Sequence, residues 1–130
     1  MTYPDHITKG WLREHPDCIF VFGDNMARFG HGGAAALRDL PNTYGFITQK
    51  YPDSRPESHY KPEEYTHILN TETEFLRERI LCNPDLTFMI TKLGGGLANM
   101  FNIRPAIIEK LKEFEDTAKY PNVVFIGGNT

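Results

Sequence analysis

The sequence predicts an α/β fold, a three-layer sandwich with helices on both faces of a mostly parallel central sheet. Three observations carry that expectation. Short apolar runs rich in β-formers alternate with stretches of helical spacing, giving strand, helix, strand, helix, strand, helix, strand after a short helical start. The first strand, Cys18-Ile19-Phe20-Val21-Phe22, is an unbroken apolar run, which marks burial on both faces. Two of the strands run into glycine-rich segments, as chains do where they leave the carboxyl rim of such a sheet.

Size and composition agree. A chain of 130 residues makes one domain, 1–130, able to bury a core without staples. Its 40% hydrophobic and 24% charged content is ordinary for a globular protein. A net charge of -3 lacks the basic field that a general nucleic-acid or membrane-surface binder needs, but leaves open the recognition of one nucleotide in a pocket. No run is apolar for long enough to span a bilayer, and no signal peptide is evident. Cys18 and Cys82 are expected to be buried reduced thiols, which suits a cytoplasmic protein.

Taken in order, Asp5 or Thr8 caps a short helix over 8–14 that buries Trp11 and Leu12, and Pro16-Asp17 ends it. The first strand covers 18–22. A helix is expected from about 32 to 40, stopped by Pro41-Asn42. A second strand follows at 44–48. Segment 49–61 is polar and without period, with prolines and aromatics, and reads as a loop or lid near a ligand or as a solvated connection. Pro62, Glu63 and Glu64 open a long helix in which Tyr65, Ile68, Leu69, Phe75, Leu76, Ile80 and Leu81 recur at helical spacing, to about Cys82. Asn83-Pro84-Asp85 breaks it. A third strand covers 86–91 and a further helix 103–114, with Ile103, Ile107, Ile108, Leu111 and Phe114 on one face. Pro121-Asn122 precedes a last strand at 123–126.

The chemistry-bearing residues cluster after two strands. Gly30-His31-Gly32-Gly33 can present backbone N–H groups to a phosphate, although tight turns alone also call for glycine. Gly30-x-Gly32-x-x-Ala35 fits the dinucleotide fingerprint only loosely, because residues 23–29 separate it from the strand end, and no Walker loop occurs. Gly94-Gly95-Gly96 offers further N–H donors, with Asn99 a polar side chain nearby. The plainer reading is flexibility between strand and helix. Gly23, Asp24 and Asn25 end the first strand. A carboxylate there is a candidate base or ribose ligand and an amide can hold a hydroxyl or a water, while both residue types also serve Asx turns. His31 suits phosphate contact or proton transfer.

Neither cysteine begins a Cys-x5-Arg loop, and no Gly-x-Ser-x-Gly elbow or His-Glu-x-x-His helix occurs. His6, His15, His59 and His67 show no metal-ligand spacing, so no metal or resident cofactor is expected. Chemistry would then rest on positioning, a held water and the substrate's own groups. Since both glycine loops follow strand ends, they should share one rim of the sheet.

At these two loops the sequence resembles the macro-domain superfamily of ADP-ribose binders. It is most similar to small macro-like proteins of bacteria and phages that carry an apolar strand ending Phe-Val-Phe-Gly-x-Asn and then a Gly-His-Gly-x-Gly-Ala-Ala-like loop, here 20–25 and 30–35. The resemblance implies a macro-domain-like sandwich in which Asn25 contacts the distal ribose, and Gly32, Gly33 and Ala34 line the diphosphate. It implies that 91–99, with Gly94, Gly95, Gly96, Leu97 and Asn99, wraps the phosphates. Asp5, in Asp5-His6-Ile7-Thr8, takes the place of an aspartate that holds the adenine amine, with one residue extra before Ile-Thr. The implied ligand is ADP-ribose or a related nucleotide, free or on a macromolecule. The implied reaction, if there is one, is hydrolysis at the distal ribose with Asp24 or His31 activating water. A non-catalytic sensor or sponge in phage–host conflict and an unrelated dinucleotide-binding module are the alternatives.

Overall fold

The apolar run after Asp17 becomes β1 (Cys18–Asn25), and it occupies the interior of the sheet rather than an edge. In the computed structural model, which describes residues 2–127, β1 lies between β2 (Thr43–Gln49) and β3 (Thr87–Ile90), and β4 (Val123–Phe125) adds to the far side of β3. Every pairing is parallel, with Phe20 opposite Thr43 and Val21 opposite Ile90. Both neighbours of β1 therefore bury its backbone, and side chains of alternate residues feed two cores.

Ile19 and Val21 point into one core with Phe46, Phe88 and Ile90. There they meet α2 (Pro62–Cys82) and α3 (Arg104–Leu111) through residues such as Tyr65, Leu76, Ile80 and Ile107. Cys18, Phe20 and Phe22 point the other way, onto Ile7, Leu12, Ala35 and Leu37. The second face is thus covered by α1 (Lys9–Glu14) and the chain after the first glycine loop, which completes a three-layer α/β sandwich. Thr8 caps α1 by accepting from Trp11 N at 3.1 Å. Pro62 opens α2, and Glu64 reaches back to Lys61 N at 3.0 Å.

Several expectations need correction. The segment expected as a helix over 32–40 holds a single 3-10 turn, Gly33–Ala35, followed by further turns. Its backbone bonds reach three residues back, from Ala35 to Gly32, Ala36 to Gly33, Arg38 to Ala35 and Leu40 to Leu37. Ala35 and Leu37, two residues apart, are both buried, which a helix on this face does not allow. Cys82 is exposed at the end of α2, not buried. Trp11 is only half-buried, its ring stacked on His15 with centroids 3.8 Å apart. Phe75, Leu81 and Ile108 face outward, and the buried stripe of α2 includes Glu72 and Thr73 instead.

Segment 49–61 is pinned rather than free. Lys50 N bonds Ser58 O at 2.8 Å, Gln49 bridges His59 in antiparallel fashion, and Pro56–Ser58 forms a 3-10 turn. The expected last strand stops at Phe125, although Ile126 N still bonds Ile90 O at 2.9 Å.

Candidate functional site

In a parallel sheet all strands present their carboxyl ends on one rim, and β1 and β3 are neighbours. The loops that leave them must therefore meet. Gly23, Asp24 and Asn25 from the end of β1 line one cleft of about 550 Å³, together with Gly30, His31, Gly32, Gly33 and Ala34 from the first loop and Gly94, Gly95, Gly96 and Leu97 from the second. This volume lies in the range of nucleotide-sized ligand sites.

Two expected residues are elsewhere. Asp5 is exposed and does not line the cleft. Asn99 is also off the cleft. Its Oδ1 accepts from Arg104 N at 2.9 Å, which caps the start of α3.

Asp24 is the anchor of the first loop. Its side chain is only 2% exposed and sits between two guanidinium groups. Arg28 Nη1 donates to Oδ2 at 3.0 Å, Arg38 Nη1 donates to Oδ2 at 3.0 Å, and Arg38 Nη2 and the Asn25 N–H donate to Oδ1. Arg38 continues outward, giving Nε to Gly30 O at 2.8 Å and Nη2 to Phe29 O at 3.2 Å. One buried carboxylate thus fixes the shape of a loop rich in glycine. Gly45 on β2 makes room for this arrangement, since a Cβ there would run into the Asp24 carboxylate and come within 2.9 Å of Arg28 Nη1.

Asn25 is 4% exposed and lines the cleft. Its Nδ2 donates to Phe29 O at 2.8 Å, which settles the orientation of the amide, since a carbonyl only accepts. Its Oδ1 is buried and has no hydrogen-bond partner among the described residues. An unpaired buried acceptor costs about 1–3 kcal/mol, so a donor from a ligand fits here.

The glycines divide into two kinds. Gly94 is demanded by the fold, with φ +75 and a Cβ position blocked by Ile107 Cδ1. Gly32 is not: φ -84 and ψ 148 suit any residue, and an added Cβ would meet nothing within 4 Å. Space left open beside an ordinary backbone position lets a ligand lie close to the chain. The N–H groups that start the turns Gly33–Ala35 and Gly96–Asn99 have no carbonyl within their own turn.

Sequence reasoning missed several contributors. Thr48 and Gln49 line the cleft from the end of β2, and Pro52 from the loop beyond it. The rule that places ligands at strand ends could have found the first two. Lys92, directly after Thr91, is exposed in the cleft wall and forms no ion pair among the described residues. Phe29, 56% exposed, is a further addition, and with the expected Leu97, 50% exposed, it brings one large apolar side chain from each loop. At the rim, His31 Nε2 lies 2.9 Å from Asp39 Oδ2, and that hydrogen bond is the main reason the Asp39 carboxyl is held below the usual carboxylate range. Arg38 and Asp39 carried no sequence signal, being charged residues in what looked like a helix.

The arrangement can accept a hydroxyl at Asn25, attract an anion with N–H groups and Lys92, and move a proton at His31. Among the described residues, no group of three or more His, Cys, Asp or Glu side chains is placed to hold a metal ion, and no helix is long and apolar enough to cross a membrane.

A family model described as "Family of unknown function (DUF7831)" matches residues 2–114, and the chain belongs to that family. No curated protein and no solved structure matches it.

Proposed function

We propose that this DUF7831 domain binds ADP-ribose or a closely related nucleotide in the cleft between its two glycine loops. The observation that carries the reading is Asn25 Oδ1, a buried acceptor without a partner among the described residues, on a residue that lines that cleft. A ribose hydroxyl is a donor of the right kind, and the macro-domain resemblance assigns Asn25 that contact. The diphosphate would lie over Gly32 and Gly33 and against Lys92, which line the same cleft and offer backbone N–H groups and a cation. Phe29 and Leu97 give apolar surface for a sugar or base face. The ligand is free or carried on a macromolecule, and the two free thiols suit a reducing, cytoplasmic setting.

Titration calorimetry with ADP-ribose, NAD, AMP and cyclic ADP-ribose tests this. ADP-ribose should bind most tightly, and Asn25→Ala should weaken it by about tenfold or more through the lost hydrogen bond. Affinity for NAD equal to or above that for ADP-ribose would favour a dinucleotide-binding module. No heat with any of the four would end the proposal.

A further inference from the structure

We infer that the groove between the open edge of β2 and α2 is a second binding site, and that it takes an extended peptide in which an acidic residue adjoins an apolar one. The groove holds about 600 Å³ and shares no lining residue with the glycine-loop cleft, so the inference stands apart from what that cleft binds.

The backbone of β2 offers the pairing. The strand ends the sheet, and Asn42 O accepts from Phe20 N at 3.0 Å, so Thr43, Gly45 and Ile47 turn their N–H and C=O groups to the open side. Both groups of Ile47 are taken by Glu72 and Tyr65, and Gly45 O accepts from Arg28 Nη1 at 2.8 Å. The N–H and C=O of Thr43 and the N–H of Gly45 have no hydrogen-bond partner among the described residues. An added strand, running in either direction, can bond all three, and its ladder stops at Ile47.

The side chains name the partner. Tyr44 turns toward α2 and packs on the core there. A peptide residue opposite it points the same way, toward half-buried Ile68 and exposed Phe75, which line the groove. The neighbouring residue, opposite Gly45, points to the other face. Arg28 Nη1 lies there, 2.9 Å from the place of a Gly45 Cβ. Arg28 and Arg38 share the one Asp24 carboxylate. Arg79 lies 5.6 Å from the centre of the Tyr44 ring, and it forms no ion pair among the described residues. Glu72, the carboxylate of the groove, is buried and turned to Ile47 N–H. A two-fold contact sets a patch against itself, so a second copy of this chain would bring these guanidinium groups together. An acidic segment complements them.

The test selects random phage-displayed peptides on the immobilised protein and measures the selected ones by fluorescence anisotropy. Enriched sequences should carry aspartate or glutamate beside a large apolar residue. Phe75→Glu should weaken them about tenfold or more and Arg79→Glu about threefold, with melting temperatures unchanged, since both side chains are exposed. Methylating the peptide nitrogens one at a time should alternate between a loss of about tenfold and little change, because only every second N–H faces β2. No enrichment overturns the inference. So do selected peptides that bind Phe75→Glu as well as wild type, or that tolerate methylation at every nitrogen. A wild-type dimer in sedimentation that Phe75→Glu dissociates would show that a second copy fills the groove, and it overturns the inference too.

Discussion

Gly32 separates what the fold needs from what a ligand needs. Its backbone is ordinary and its surroundings empty, so alanine costs the folded state nothing and restricts the unfolded chain. Gly32→Ala should therefore keep or raise stability, by up to about 0.5 kcal/mol in a thermal melt. In the same protein, affinity for ADP-ribose should fall about tenfold, because the methyl group occupies the space a diphosphate would use. Tight binding by the variant would show that the ligand lies elsewhere. Asp24 makes the opposite case. Its place at the end of β1 was legible, but its partners were not, since Arg38 lies fourteen residues on and only the folded loop brings it in. Replacing one of two opposed charges in a buried cluster exposes the other. Asp24→Asn should destabilise by about 3 kcal/mol in urea denaturation at neutral pH. A cost below about 1 kcal/mol would mean that solvent already screens the cluster.

At the scale of elements, the edge of β2 shows why a buried carboxylate sits in a helix. Ile47 turns its N–H and C=O away from β1, and α2 supplies both partners, Glu72 Oε1 at 2.7 Å and the Tyr65 hydroxyl. Two polar groups of the free edge are thereby paired. Burial raises the Glu72 carboxyl above its ordinary value of 4.5, against smaller opposing effects from Ile47 N–H and Arg28. The folded state then holds a proton in a range where the unfolded chain has released it, so stability declines as pH rises through that window. Glu72→Gln keeps an acceptor for Ile47 and removes the titration. The stability of the wild type relative to this variant should shrink as pH rises from 4.5, measured by denaturation at several pH values. A constant difference would show that Arg28, 3.9 Å away, keeps Glu72 ionised throughout. The sequence revealed α2 because Pro62, the early glutamates and a long periodic run all agree. It did not reveal Glu72, whose position breaks the apolar stripe. The alanines at 34–36 misled for a related reason. Their helix propensity is real, but the pull of Arg38 on Gly30 and Asp24 and the burial of Leu37 outweigh it. Pro41-Asn42, expected to stop a helix, and Pro121-Asn122, expected ahead of the last strand, are matched corners. Asn42 Nδ2 binds the carbonyls of Leu12, His15 and Cys18, and Asn122 Nδ2 those of Ile80, Asn83 and Leu86, each just before a strand.

For the molecule as a whole, strand order decides whether there is a site. Alternating strands and helices implied a parallel sheet, and two glycine loops after strands implied one rim. That β1 and β3 are adjacent could not be read, because adjacency depends on how β2 and α2 pass to one side before the chain returns. The order β2-β1-β3-β4 sets the loops side by side although more than sixty residues separate Gly30 from Gly94. A ligand between them must then order both at once. At a concentration of about 100 times Kd, ADP-ribose should add about 2.7 kcal/mol to the stability of the folded state. Hydrogen exchange resolves where that effect falls. Amides in 30–35 and in 94–98 should slow together on addition of ADP-ribose, while those of β4, which lines no part of the cleft, should change only with the global stability. Protection confined to 30–35 would show that the second loop is not a wall of the site, and that the closeness of the two loops reflects strand order alone.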